Sequence, residues 1–123
     1  MQHISLSVPA EAAFARTVRM VAANLAVVQE LDVDTVEDVR MVAEEGFIYA
    51  CATKPAACEV SFDLHDDEMR IAFSLGDADL DEADDGADLD LVELLLSSVC
   101  DEFYVSDDGG ELCLAKKVGA HAE

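Results

Sequence analysis

The stretch DVRMVAEEGFIYACA, residues 38–52, decides how the rest of this sequence is interpreted. Its spacing predicts an amphipathic helix that carries Glu45 and Tyr49 four residues apart. Residues four apart on a helix lie one above the other on the same face. Because a carboxylate and a phenol placed in this way can meet one ligand, Glu45 and Tyr49 are the first candidate site residues.

Length and composition indicate one globular domain that spans residues 1–123. Hydrophobic residues make up 52% of the chain, which is too many for a disordered segment. Only 6% of the residues are aromatic and none is Trp, so we expect a core built from Ala, Val and Leu.

The net charge of −21 comes from 28 acidic residues against 7 basic ones. A surface this acidic repels nucleic acid and anionic membranes, because phosphate binding needs clustered Lys and Arg. Two interpretations of the charge remain open. It either keeps the protein soluble or forms an acidic face for a basic protein partner.

The chain has no apolar run near the ~20 residues that cross a bilayer, and its start lacks the features of a signal peptide. We therefore expect a cytoplasmic protein. The cysteines show no CxxC spacing, which favours reduced, buried thiols over a zinc site.

Periodicity predicts three helices and five strands in the order β-α-α-β-β-α-β-β. The predicted elements cover residues 3–8, 10–30, 34–53, 58–64, 69–75, 89–100, 101–105 and 112–117. Turns at residues 65–67 and 107–110 predict two hairpins, so neighbouring strands are antiparallel. The predicted fold is a two-layer α+β sandwich, with a mostly antiparallel sheet covered on one face by three helices.

Local signals predict how the helices begin and pack. Pro9 is expected to open the first helix, and Asp34 with Glu37 resembles a capping box for the second. Gly46 suggests the close approach of a backbone or a ligand. The third helix is apolar around most of its circumference, so we expect it to be largely buried, with Asp88 as its N-cap. The first helix is expected to bury a stripe of Phe14, Val18, Val21, Leu25 and Val28.

Residues 76–90, GDADLDEADDGADLD, carry eight carboxylates and show no helical or strand period. This pattern is typical of a mobile loop, and it allows two functional alternatives. Asp77, Asp79 and Asp81 have the spacing of a calcium loop, although Glu82 stands where such a loop needs Gly. The other alternative is a lid over a former ligand site.

Two further groups of residues are weaker candidates. His65 lies in a predicted turn, where a surface role is favoured over metal binding. Arg16 and Arg19 lie about one turn apart on the first helix. They are either solvated or form a small basic spot for a carboxylate of a partner.

Much of the chain resembles the anti-sigma-factor serine kinases of bacteria, which belong to the histidine-kinase-like ATPases. The resemblance rests on a strand that ends in Val-Pro-Ala, on Val-Arg in the first helix, and on residues 38–50, which follow the family pattern D-[IV]-[KR]-x-A-x-S-E-A-x-x-N-A. Residues 89–118 are similar to the last helix and hairpin of the family, including the basic pair Lys116 and Lys117.

The resemblance implies roles for the two residues of the second helix. Glu45 matches the family glutamate that acts as the base or polarises the attacking hydroxyl. Tyr49 stands at the position of the asparagine that holds Mg²⁺, and a neutral phenol is a poor ligand for this ion.

The resemblance also locates the nucleotide motif D-x-G-x-G of the family at the end of the central hairpin. Alignment on the strand puts Asp77 and Asp79 at its glycines, and a shift by two residues puts Asp79 and Asp81 there. Both alignments lose the glycines and place carboxylates where a triphosphate would bind. Like charges ~4 Å apart cost about 1 kcal/mol even in water, so we expect no bound ATP and no metal.

Three functional hypotheses follow. The first is a degenerate kinase that binds a protein partner, a sigma factor or an anti-anti-sigma factor, without binding ATP. The second is an active serine kinase that uses ATP and Mg²⁺, with Glu45 as its catalytic residue. The third is a homo-oligomeric interaction module, such as a homodimer, that has no sigma factor as partner.

Overall fold

The protein is an α+β sandwich of two layers, as the sequence predicts. A computed structural model describes residues 2–77 and 89–118, and the following bounds refer to those residues. The helices are α1 (Ala15–Val28), α2 (Val33–Ala52) and α3 (Leu89–Val99). The strands are β1 (Gln2–Val8), β2 (Cys58–Leu64), β3 (Glu68–Ser74), β4 (Glu102–Val105) and β5 (Glu111–Lys117).

The five strands form one antiparallel sheet in the order β1-β2-β3-β5-β4. Helix α2 is central: it contacts α1 on one side, α3 on the other, and strands β2, β3 and β5 beneath it. Helix α3 also contacts β4. The predicted hairpins β2–β3 and β4–β5 are confirmed, and the helices cover one face of the sheet.

Alternation along the strands sends apolar side chains toward the helices. In β2 and β3 every second residue is buried, and the register places Phe62 opposite Ile71 and Ile71 opposite Leu114. These side chains meet α2 in a single core. The residues that the three central strands contribute to this core are Cys58, Val60, Phe62, Leu64, Met69, Ile71, Phe73, Leu112 and Leu114.

Helix α1 begins later than Pro9 suggests. Residues Ala12–Phe14 form a 3₁₀ turn, and α1 starts at Ala15. Glu11 has an extended backbone with φ −132° and ψ 137°, which separates Pro9 from the helix. The Pro9 carbonyl accepts a hydrogen bond from Glu11 N at 2.8 Å, so Pro9 belongs to a bend and does not open the helix.

The buried side of α1 is made of smaller residues than predicted. Ala15, Val18, Ala22 and Ala26 are buried, whereas Val28 is 61% exposed. Alanines let α1 lie close to α2, and this rotates the helix so that Val28 faces away from the core. The prediction that Val28 is buried is wrong. The helical period of the large apolar residues does not show that the alanines form the buried face.

Asp32, and not Asp34, caps the second helix. Asp32 has an extended backbone, and its Oδ1 accepts a hydrogen bond from Thr35 N at 2.7 Å. Asp34 lies inside the first turn, and Glu37 binds Arg40 at 2.7 Å instead of reaching back to the cap. The capping-box assignment is therefore wrong. Two aspartates two residues apart both satisfy the N-cap preference, and only the backbone conformation distinguishes them.

Replacing Asp32 by Ala should destabilise the protein more than replacing Asp34 by Ala. Hydrogen bonding to Thr35 holds the pKa of Asp32 below its ordinary value of 3.8. The stabilising contribution is therefore present above pH 3.8 and is lost as the pH falls through the lower folded value. Urea unfolding of both variants between pH 7 and strongly acidic pH tests this. Equal losses of stability at neutral pH would contradict the assignment.

Two glycines mark close approaches between the layers. A Cβ at Gly46 would lie 2.5 Å from Phe73 Cε1, so an aromatic ring, and not the expected backbone or ligand, requires this glycine. A Cβ at Gly76 would lie 2.2 Å from Thr53 O and 2.5 Å from Pro55 N. Gly76 N also donates a hydrogen bond to Thr53 Oγ1 at 2.8 Å, which joins the chain after β3 to the end of α2.

We expect Gly76→Ala to lower the free energy of unfolding by about 3 kcal/mol, because the methyl group meets backbone atoms that have no alternative rotamer. Gly110→Ala is the matched control. A Cβ there would meet only Asp108, whose Oδ1 lies 3.1 Å away and is the end of a movable side chain, and the change should stay within about 0.5 kcal/mol. Chemical denaturation measures both, and equal effects would rule out the close approach.

Helix α3 is less buried than its composition predicts. Val92 and Leu96 are buried, but Leu91 and Leu94 are 50% and 61% exposed. The helix packs mainly against α2 and β4 at one flank of the molecule, so part of its surface remains exposed. Asp88, its expected N-cap, and the end of the chain after Val118 lie outside the described residues. Within residues 2–77 and 89–118, none of the helices combines the length and apolar character needed to cross a membrane.

Candidate functional site

Tyr49 is part of the core between α2 and α3. Its side chain is 6% exposed, and its ring meets the ring of Phe103 edge-on, with centroids 6.4 Å apart and planes at 89°. Phe103 reaches this place because it is paired with Leu114 in the β4–β5 hairpin and therefore points to the helical layer. Tyr49 thus fills a space that three elements enclose.

The surroundings of Tyr49 keep its phenol neutral. Burial raises the pKa of Tyr49 above its ordinary value of 10.0, and the negative charge of Glu93 on α3 raises it further. The single oxygen of a protonated phenol is a weak metal ligand. Mg²⁺ prefers carboxylate and amide oxygens in octahedral geometry. At neutral pH this position does not supply a metal ligand.

Glu45 lies one turn before Tyr49 and is half-buried. Burial raises the pKa of Glu45, and the neighbouring Glu44 raises it further. A carboxylate with a raised pKa is a better base than an ordinary one. However, Tyr49 is enclosed while Glu45 remains partly accessible, so the structure does not bring the two together as one open ligand site.

Lys116 on β5 contacts both α3 and α2. The sequence predicted no separate role for this residue. Its Nζ donates a hydrogen bond to the Val99 carbonyl at 3.0 Å and lies 3.5 Å from Asp38 Oδ2. A cation at the C-terminus of a helix is favoured by the helix dipole. The alternation along β5 could have predicted these contacts. It puts Lys116 on the same face of the strand as Leu112 and Leu114, which is the face that the helices cover.

A cleft of about 340 Å³ is lined by residues of α1 and α2. Its two arginines are both paired: Arg19 Nη1 lies 3.5 Å from Glu44 Oε2, and Arg40 Nη2 lies 2.7 Å from Glu37 Oε2. The Nε of Arg19 is buried and makes no hydrogen bond within the described part of the chain. The residues that line the cleft are Arg19, Glu37, Asp38, Arg40, Met41 and Glu44.

The proposed basic spot at Arg16 and Arg19 is therefore partly neutralised. Arg16 is exposed, whereas Arg19 turns toward α2 and its acidic residues. The two side chains do not form an isolated positive patch, because Glu44 lies beside one of them.

The described residues offer no arrangement for a metal ion. Over residues 2–77 and 89–118, no group of three or more His, Cys, Asp and Glu side chains is placed to hold one. Asp77 is exposed, and His65 lies in the β2–β3 turn as expected. The candidate calcium and nucleotide positions Asp79 and Asp81, together with Glu82, lie outside the described residues.

The cysteines are shielded to different degrees. Cys58 is buried, whereas Cys51, Cys100 and Cys113 are half-buried. Burial raises the pKa of the Cys58 and Cys100 thiols to about 11. These two thiols are therefore protonated at neutral pH and unsuited to nucleophilic chemistry.

Comparison with known proteins leaves the resemblance to the anti-sigma-factor kinases as a hypothesis. The chain matches no protein-family model, and a search of curated proteins finds no matching relative.

Replacement of Tyr49 by Ala should lower the free energy of unfolding by about 3–5 kcal/mol, because it removes a buried ring and its contact with Phe103. Tyr49→Phe keeps the ring and should cost less than about 1.5 kcal/mol. Urea denaturation at pH 7 measures both values. A mild effect of Tyr49→Ala would show that the ring is not part of the core.

Proposed function

We propose that this protein is a regulator of the anti-sigma-factor type. In this proposal it has a trimmed histidine-kinase-like ATPase framework, binds a protein partner and does not bind ATP. The observation that carries the proposal is the enclosed ring of Tyr49, at the position that the resemblance assigns to the Mg²⁺ ligand. A buried, neutral phenol in contact with Phe103 is a packing residue.

Charge around this position supports the loss of nucleotide binding. Glu45 and Glu93 lie on α2 and α3 near Tyr49, and the pKa of Tyr49 responds to the charge of Glu93. A triphosphate near Tyr49 would therefore meet the carboxylates of Glu45 and Glu93.

The outer surface of α1 and α2 supports the binding of a protein partner. The cleft between these helices combines two paired arginines, three carboxylates and Met41, which is a mixture suited to polar protein contacts. Met20 and Val27, seven residues apart on one side of α1, are 57% and 62% exposed. The net charge of −21 favours a partner with a basic surface, and the resemblance indicates a sigma factor or an anti-anti-sigma factor.

Titration with Mg²⁺–ATP by isothermal calorimetry tests the nucleotide part of this proposal. We expect no measurable heat of binding at ATP concentrations up to about 1 mM, which is a limit of roughly −4 kcal/mol. An anti-sigma-factor kinase with the complete Glu and Asn motif is the positive control. The same titration with purified sigma factors and anti-anti-sigma factors tests the partner part, and binding should weaken as salt increases.

Micromolar binding of Mg²⁺–ATP would overturn the proposal and favour the active-kinase alternative. In that case Glu45→Ala should abolish phosphate transfer to the partner, while Glu44→Ala, a change in the neighbouring residue, should leave transfer largely intact. Absence of both ATP binding and partner binding would leave the resemblance without functional support.

A further inference from the structure

Three polar side chains of different chemistry meet on the face of the sheet opposite the helices. His3 and Ser5 lie two residues apart on β1, so both side chains point to the same face of the strand. Ile4 and Leu6 alternate with them and pack against the core on the other face. The register pairs His3 directly with Asp63 of β2. Alternation and strand pairing therefore bring a hydroxyl, an imidazole and a carboxylate together.

These side chains form a hydrogen-bonded chain in the order Ser, His, Asp. His3 Nε2 lies 3.0 Å from Ser5 Oγ, and His3 Nδ1 lies 2.5 Å from Asp63 Oδ1. An ionised carboxylate can only accept a hydrogen bond, so Nδ1 carries the imidazole proton and donates to Asp63. In the neutral ring Nε2 then accepts a hydrogen bond from the hydroxyl of Ser5. The geometry therefore fixes the tautomer of His3 and the direction of each hydrogen bond.

This order is the one that activates a serine as a nucleophile. The base must meet the hydroxyl with one nitrogen, and a third group must hold its other nitrogen. A cross-strand pair that only joined β1 to β2 would need His3 and Asp63, but it would not require a hydroxyl at the second nitrogen. Ser7 provides an internal comparison on the same face of β1, because its Oγ donates a hydrogen bond to the carboxylate of Glu59 at 2.8 Å instead of to an imidazole.

We propose that Ser5, His3 and Asp63 form a site that takes acyl groups from small, neutral esters. Ser5 Oγ attacks the carbonyl carbon of the ester while its proton passes to His3 Nε2. The tetrahedral adduct then breaks its bond to the alcohol oxygen, which takes the proton from His3 and leaves, so that Ser5 carries an acyl ester. Water attacks this ester and gives its proton to His3, which returns it to Ser5 as the carboxylic acid is released.

Neighbouring residues set the substrate class and the expected rate. Ser61 is paired directly with Ser5, at a separation of about 5 Å between opposed side chains, so its hydroxyl can donate to the carbonyl oxygen as negative charge develops there. Asp63 and Glu59 place negative charge around the site, which disfavours anionic substrates. The side chains of His3 and Asp63 are 53% and 34% exposed, so a small ester reaches the site directly. Water reaches it as well and weakens the electrostatic stabilisation, so we expect slow turnover.

Hydrolysis of 4-nitrophenyl acetate near neutral pH tests the activity. Ser5→Ala and His3→Gln should each lower the protein-catalysed rate about a hundredfold, because each removes one partner of the proton transfer. Ser61→Ala should lower it several-fold. Ser7→Ala, the same change two residues along the same face of β1, is the matched control and should keep the rate of the wild type. A wild type without protein-catalysed hydrolysis, or a Ser5→Ala variant as fast as the wild type, would overturn the proposal.

Covalent labelling identifies the atom that takes the acyl group. Mass spectrometry of wild-type protein quenched during turnover should find an acetyl ester on Ser5. A fluorophosphonate, which loses fluoride to an activated serine and stays attached, should label Ser5 in the wild type and not in His3→Gln. An acetyl group on the ring of His3, or equal labelling of Ser5 and Ser7, would overturn the proposal.

Asp63 acts through His3 and is a positioning residue. Asp63→Asn should lower kcat about tenfold or more and leave KM nearly unchanged. Long-range ¹H–¹⁵N NMR spectra of the neutral His3 ring should show a protonated Nδ1 in the wild type and a shift towards protonated Nε2 in Asp63→Asn, with His3→Gln identifying the signals. A protonated Nε2 in the wild type would overturn the proposal, even if a variant fails to fold. These readouts involve neither ATP nor a partner protein, so they are independent of the proposed function.

Discussion

The close packing of α2 on the sheet is the constraint on which the rest of the structure depends. Gly46 faces the ring of Phe73, and no Cβ fits between them. Ala43 and Ala50, which are fully buried, extend this thin side of the helix in both directions. Because α2 lies so near the strands, α1 and α3 can pack against its two flanks and still reach the same core. A larger residue at position 46 would lift the helix and loosen all three interfaces.

The same arrangement determines the character of the candidate site. Helix α2 carries small residues toward the sheet and a large one, Tyr49, toward α3 and Phe103. The contact between Tyr49 and Phe103 makes the interior of this flank apolar. Glu93, which lies near Tyr49, adds a negative charge at its edge. Tyr49 stabilises the contact between two helices and a hairpin.

Sequence patterns predicted the order of elements, both hairpins and the layered fold, because alternation and helical periodicity are strong over these segments. They failed where several residues meet the same local preference, as at the cap of α2, where Asp32 and Asp34 are equivalent by type. They also failed where burial depends on distant elements. The exposure of Val28 and Leu94 and the enclosure of Tyr49 follow from how helices pack across the sheet. The helical segment that carries Glu45 and Tyr49 was therefore predicted, but the surroundings of these two side chains were not.

The bond between Lys116 and the end of α3 has a consequence for motion. One ammonium group bridges the Val99 carbonyl and the Asp38 carboxylate, so three separate parts of the chain meet at a single charge. Helix α3 is the most exposed of the three helices and rests on few large side chains, chiefly Val92 and Leu96. Helix α3 can thus detach before the whole protein unfolds. The free energy of this local opening depends in part on the contacts of Lys116. Acylation of this lysine would remove the charge and weaken the contact that joins α3, β5 and α2.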